Sequence, residues 1–337
     1  MSGGDEAARH LRFARGDPNR AIVEFDVDGS PAVHAWDLAS GRVVTAARGR
    51  VTRSAISPDG AWVWWFEPDA GLWWRRPFGA SLATHPERPL RLGPAEDSGV
   101  ALGADGTAIV ARPLPGIGHT FTLMPVGRVR PGAEPAFLCT VPALISFHRS
   151  DDDALLAVDT GAGAAVYSAS TGAVVAEELI GPEWSVRGFT GDNELLLARG
   201  DGQGGLSSLR LWSPATGLRR AVSLAGVPGP QRAAVAHGGR ALVVEAAGDE
   251  GAEVYLVGVD GSGAQRVGPT HGAVAPGSAV GGPGGVVYGQ WSAPDLPARL
   301  VNLTAAEERL PAAGGGTSAG ALHRRYPPVV GGYGPRP

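Results

Sequence analysis

Ser57-Pro58-Asp59-Gly60, followed at once by Ala61-Trp62-Val63-Trp64-Trp65-Phe66, is a tight polar turn leading into an apolar run, and it does not occur alone. Weaker copies of the turn stand at Ala104-Asp105-Gly106, Ser150-Asp151-Asp152, Thr190-Gly191-Asp192, His237-Gly238-Gly239 and Gly282-Pro283-Gly284. They fall about 40 to 47 residues apart, and a repeat of that period with strands between its turns is the pattern of a β-propeller. The expected fold is therefore all-β, a seven-bladed β-propeller of four-stranded antiparallel blades over residues 10–310. A flexible N-terminus at 1–9 and a disordered Gly/Pro-rich tail at 311–337 are expected to flank it.

Strand-like runs bounded by glycine, proline or aspartate place the first blade at Leu11 to Ala14, Ala21 to Val27, Ala32 to Leu38 and Arg42 to Ala46. Thr52 to Ile56, Trp62 to Phe66 and Gly71 to Gly79 supply the second. Later inner strands are expected near Gly99 to Leu102, Ala143 to Phe147, Ser185 to Phe189, Ala233 to Ala236 and Gly277 to Val280. Because the first blade comes entirely from N-terminal residues, the ring is expected to close by side-chain packing, with no strand shared between the two ends. Strand alternation sends Trp62 and Trp64 to one face and Trp65 to the other, so this blade is expected to pack tryptophan against both neighbours, with Arg75 and Arg76 over the rings.

With 337 residues, 43% of them hydrophobic, the chain can bury one large core, while its 52 glycines mark turns. A net charge of −4 gives no general attraction to nucleic acid or anionic lipid. All 29 cationic residues are arginine, which excludes lysine Schiff-base chemistry and a phosphate-binding P-loop. The single Cys139 allows no internal disulfide and no cysteine-based zinc site, and reads as a small buried hydrophobe. No apolar leader or membrane-length apolar stretch is seen, so a cytoplasmic protein is expected, with no membrane or nucleic-acid partner, no metal and no cofactor.

The passage from Ala55-Ile56-Ser57-Pro58-Asp59-Gly60 through Trp62-Val63-Trp64-Trp65-Phe66 to Gly71-Leu72-Trp73-Trp74-Arg75-Arg76-Pro77-Phe78-Gly79 resembles the second blade of the N-terminal propeller in bacterial prolyl oligopeptidase-family serine peptidases. Leu11-Arg12-Phe13 and Trp36-Asp37-Leu38 resemble its first blade, and the weaker blade pattern extends the likeness over residues 10 to 305. In that family the propeller gates a hydrolase domain that carries the catalytic serine, aspartate and histidine. This sequence departs from the family there, having no such domain. Gly316-Thr317-Ser318-Ala319-Gly320 has the letters of a nucleophile elbow, but no buried strand precedes it and no aspartate follows it. It reads as tail, and no peptidase activity is expected.

The remaining place for chemistry is the central funnel. Segments leading into the inner strands bring Arg53, Asp97, Glu183, Trp184, Arg232 and His271 to one mouth, and loops between second and third strands bring Glu67, Asp201, Glu245 and Trp291. Arg53, Asp97, Trp184, Arg232 and Trp291 are candidate ligand-binding residues, and Glu183, His271 and Glu245 are candidate proton-moving groups. His148 and the run Asp151 to Asp153 read as a polar, solvated turn on the opposite face. Three readings follow. The first is a stand-alone module binding a small molecule or peptide in the funnel. The others are a cyclase, isomerase or lyase of specialised metabolism, and a subunit covering a separately encoded hydrolase.

Overall fold

The computed structural model describes residues 10–27, 30–51, 53–86, 99–114, 116–125, 136–249, 251–269, 271–293, 296–305 and 307–308. The expected N-terminal segment and tail, Asp97 and the Gly316 to Gly320 motif lie outside the described residues. The described chain is all-β, with a single 3-10 turn at Pro283–Gly285 and antiparallel pairing throughout. No helix among the described residues is long and apolar enough to cross a membrane.

Six sheets follow one another in chain order. Sheet 1 pairs His10–Phe13, Arg20–Val27, Ser30–Asp37 and Arg42–Arg48 in sequence. Sheet 2 pairs Arg53–Ile56, Trp62–Glu67 and Leu72–Pro77, and residues 87–98 beyond it lie outside the described residues. Sheet 3 pairs Val100–Leu102, Thr107–Leu114, Gly118–Pro125 and Ala136–Val141. Sheet 4 pairs Ser146–Arg149, Leu155–Asp159, Gly163–Ser168 and Val174–Leu179. Sheet 5 pairs Trp184–Phe189, Leu195–Gly200, Leu206–Trp212 and Arg219–Val222.

Sheet 6 departs from the simple repeat, having nine strands in two arms. One arm starts at Pro230–Val235 and continues through Ala241–Ala247, Ala252–Gly258 and Ala264–Val267. The other is built on Val280–Gly281, Val287–Ala293, Leu296–Asn302 and Glu307–Glu308. They are fused because the extended pair Ala273–Val274 bonds to both, Val274 facing Ala252 on one side and Trp291 on the other.

The second strands are apolar on both faces, as in Leu195-Leu196-Leu197-Ala198 and Leu242-Val243-Val244, all buried. A strand of that kind must be covered twice, and each sheet accordingly packs on the next. Ile22 and Val33 of sheet 1 meet Trp65 of sheet 2. Trp64 and Phe66 of sheet 2 meet Val110 of sheet 3. The tryptophan alternation expected from the sequence is thus the observed one, with Arg75 4.4 Å from the Trp62 ring and Arg76 5.4 Å from that of Trp65. Phe121 of sheet 3 meets Leu156 and Tyr167 of sheet 4. Val166 of sheet 4 meets Leu195 and Trp212 of sheet 5, and Leu196 and Leu211 of sheet 5 meet Leu242 and Tyr255 of sheet 6. Within sheet 6, Val254 of one arm meets Val287 and Trp291 of the other. Finally Tyr288 and Leu300 of the second arm pack on Leu11, Val23 and Trp36 of sheet 1. The circuit closes through side chains, and no strand pairing links sheet 1 to sheet 6 among the described residues.

Candidate functional site

First strands of neighbouring sheets adjoin one another around the ring, and those of sheets 4, 5 and 6 wall a cavity of about 420 Å³. Ser146 and His148 line it from sheet 4, Ser185 and Arg187 from sheet 5, and Arg232 and Ala234 from sheet 6. Ile145 adds an apolar rim, and Gly277 and Ala279 complete the wall. The first strand of sheet 4 was expected near Ala143 to Phe147 and instead runs Ser146–Arg149. That shift puts Ser146 opposite Asp159 and His148 opposite Ala157.

Two buried carboxylates frame the cavity. Asp159, at the end of the second strand of sheet 4, accepts Val186 N–H of sheet 5 at 2.9 Å and Gly161 N–H at 2.8 Å. Glu245, on the second strand of the first arm of sheet 6, accepts Gly277 N–H at 2.6 Å and Ala279 N–H at 2.9 Å. Each carboxylate therefore ties its own sheet to the segment that forms the next part of the wall. Glu24 makes the same kind of brace at sheet 1, accepting the Ser54 hydroxyl on the first strand of sheet 2, while Arg12 donates to Ser54 O at 2.5 Å.

The cationic groups are arranged differently. Arg187 and Arg232 are exposed to the cavity, and neither makes an ion pair or hydrogen bond with the described residues. The Arg187 guanidinium is held below its usual range by burial and by the like charge of Arg232, against the attraction of Asp159. His148 is depressed to about 4, first by burial, with Arg187 acting in the same direction and Val186 and Asp159 opposing it. It is neutral at pH 7, and its Nε2 has no hydrogen-bond partner among the described residues; nor has Ser146 Oγ.

At the other end of the ring, hydrogen bonds link neighbouring elements. Gly16 N–H donates to Pro58 O at 2.7 Å and Gly191 N–H to Gly239 O at 3.3 Å, each joining the turns of neighbouring sheets, and His237 N–H donates to Gly281 O at 3.2 Å between the two arms of sheet 6. Arg15 reaches across from sheet 1 to Leu102 O of sheet 3 at 2.9 Å, Ser150 O of sheet 4 at 2.6 Å and Asp153 at 2.8 Å. Asp153 also accepts Ala104 N–H at 2.5 Å and faces Arg149 at 3.1 Å. The expected solvated acidic turn is thus a hub, joined by Arg15 from the far end of the chain and by the adjacent Arg149. His148, expected on this face, instead lines the cavity.

Of the residues singled out from sequence, Arg232 and Glu245 meet at the cavity. Arg53 heads the first strand of sheet 2, near Arg12, whose guanidinium is depressed by burial, with Glu24 opposing and Arg53 adding to the effect. Trp184 is packed between sheets 4 and 5 with Arg210 4.6 Å over its ring. Glu183 is exposed and faces Arg199 at 3.9 Å. Trp291 is buried between the arms of sheet 6, its Nε1–H donating to His271 O at 2.9 Å, while the His271 side chain is exposed. Glu67 ends the second strand of sheet 2, and Asp201 closes a turn by accepting Gln203 and Gly205 N–H. The sequence reading missed Arg187, His148 and Asp159. The signal for Arg187 was present, because it lies two residues beyond Ser185 on an expected inner strand. Cys139 is buried as expected, its thiol raised to about 11 by burial.

No family model and no curated protein matches the chain. Solved structures do. A prolyl endopeptidase superposes with a TM-score of 0.65 at 12% identity, over 89% of this chain and 48% of that one. The acylaminoacyl peptidase of Pyrococcus horikoshii gives 0.60 at 10% identity, over 88% of this chain and 50% of that one. This chain thus spans about half the length of these two peptidases. The β-propeller domain of the Trilobed protease from Pyrococcus furiosus, described as having an open velcro topology, gives 0.59 at 11% identity, over 88% of this chain and 95% of the domain. The fold is a β-propeller similar to those of these prolyl oligopeptidase-type enzymes.

Proposed function

We propose that this chain is a seven-bladed propeller that works as a binding module, holding a small molecule or a peptide end in its central cavity without peptidase activity. Seven blades are supported by the seven side-chain clusters that join consecutive sheets and arms around the circuit. The binding reading rests on one observation above all: a cavity of about 420 Å³, within the size range of small-molecule sites, walled by three consecutive first strands. Arg15 and the linked turns span the opposite end, which supports entry of a ligand from the side on which those strands begin.

Binding is favoured over proton transfer because the two carboxylates at the cavity are occupied by backbone N–H groups. A histidine held near 4 is also a weak base at neutral pH. A cytoplasmic location and the absence of nucleic-acid and membrane partners belong to the same proposal. Ala234 is exposed on the cavity wall, and Ala234→Trp would obstruct the space. In a thermal-shift screen of small molecules and short peptides, hits that stabilise the wild type are expected to lose their effect on Ala234→Trp. Hits indifferent to that change would move binding away from the cavity.

A further inference from the structure

We propose that the cavity ligand carries an oxyanion, a carboxylate or phosphoryl group, and that Arg187 and Arg232 together form its seat. This rests on the cavity-binding reading and adds the chemistry of the ligand to it.

Arg187 and Arg232 come from the first strands of adjacent sheets and both open onto the same cavity. Two guanidinium groups brought together without a shared counter-ion repel one another, and that arrangement is costly unless something anionic completes it. Among the described residues Asp159 attracts Arg187, but no carboxylate makes an ion pair with either arginine. Asp159 and Glu245 are the buried carboxylates at hand, and each already has both oxygens on backbone N–H groups. The Arg232 guanidinium lies directly over Gly277, where a glycine leaves it room beside the cavity wall.

A second observation points the same way. Ser146 Oγ and His148 Nε2 belong to residues lining the same cavity, and neither atom has a hydrogen-bond partner among the described residues. Both atoms are buried in the wall itself, and a serine hydroxyl that rotates towards the cavity can donate to an oxyanion there. Forked guanidinium donors match the planar oxygens of a carboxylate or the paired oxygens of a phosphate better than they match a neutral carbonyl. The chain as a whole is acidic, at −4, so this attraction belongs to the cavity and not to the general surface. The exposed Ile145 at the rim suits an apolar portion next to the anionic head.

The test is isothermal titration at low ionic strength with three anionic probes: an N-acetylated tripeptide with a free C-terminus, succinate and inorganic phosphate. The same tripeptide as its C-terminal amide is the neutral comparison. Proteins are the wild type, Arg187→Gln, Arg232→Gln and the surface control Arg42→Gln, each first checked for an unchanged circular dichroism spectrum and cooperative melting. At least one anionic probe is expected to bind, to weaken with added salt, and to lose at least about tenfold in affinity in Arg187→Gln and Arg232→Gln but not in Arg42→Gln. Which probe binds tells a peptide terminus from a free acid or a phosphate. Equal binding of the free and amidated peptide, or affinity unchanged in both cavity variants, would overturn the oxyanion seat and leave the cavity reading standing. Failure of every probe, together with an empty screen against the Ala234→Trp comparison, would remove both.

Discussion

His34 is a histidine placed where a charge cannot be accommodated. Its ring lies flat on Phe25 with centroids 3.6 Å apart and planes 4° from parallel, Nδ1 is 3.2 Å from Thr45 Oγ1, and Nε2 is buried without a partner among the described residues. Burial, with the charge of Arg48, lowers it from 6.5 to about 4. His148 is lowered to about 4 as well, mainly by burial. Above pH 6.5 such a group is neutral in both folded and unfolded chains, and its stabilising effect is fully present. As pH falls from 6.5 towards 4, the unfolded chain takes up the proton and the folded chain does not. Each histidine therefore costs about 1.4 kcal/mol of stability per pH unit in that window, and nothing further below it. In urea unfolding between pH 7.5 and 4, His34→Phe is expected to flatten the slope by the equivalent of one proton while keeping the stack on Phe25. An unchanged slope would assign the acid sensitivity to other groups. Little of this was legible, since a histidine in an apolar run looks the same whether or not its second nitrogen finds a partner.

The turn after each first strand is the element that repeats most faithfully. In five sheets the fourth residue of the turn has a left-handed backbone: Gly60 at φ 69, Gly106 at 77, Asp153 at 62, Asn193 at 58 and Gly239 at 68. Its N–H returns to the first turn residue, as in Gly60 to Ser57 at 2.8 Å and Asp153 to Ser150 at 3.1 Å. In two of these turns the third residue, an aspartate, accepts both the first residue's hydroxyl and a later N–H, Asp59 from Ser57 and Ala61 and Asp152 from Ser150 and Ala154. Glycine, aspartate and asparagine are the residues that tolerate this conformation, which is why the repeat could be read directly. The surroundings could not be read. A Cβ on Gly60 would meet side-chain atoms of Arg20 and Asp17, whereas one on Gly239 would meet the backbone of Gly191 in the neighbouring sheet. Gly60→Ala is expected to cost about 1–2 kcal/mol and Gly239→Ala clearly more, compared by urea denaturation. Equal losses would mean that the two turns feel only their own backbone strain.

At the scale of the molecule, the seam where the two ends of the chain meet carries the ring. Tyr288 lies 5.4 Å from the Phe13 ring and 5.9 Å, edge-on, from Trp36. With no strand pairing across this seam among the described residues, aromatic packing is what resists opening. Tyr288→Leu and Trp36→Leu are expected to be non-additive in a double-mutant cycle, with a coupling of about 1 kcal/mol. A coupling near zero would place the closure elsewhere. The all-β class, the turn period, closure without a shared strand and the two-faced tryptophan strand Trp62–Glu67 were all determined by the sequence alone. They depend on local backbone chemistry and on the period of two along a strand, which neighbouring residues settle among themselves. The cavity was decided by tertiary structure. Arg187 meets Arg232, Asp159 reaches Val186, and Asp153 gathers Arg15 from 138 residues away, because the packing of one sheet on the next chooses which first strands converge. Glu183 and Trp184 were plausible beside them in sequence, but one turns to solvent and the other into an interface between sheets. A charge finds its partner across an interface set by the packing of whole sheets, and no spacing within a single repeat encodes that choice.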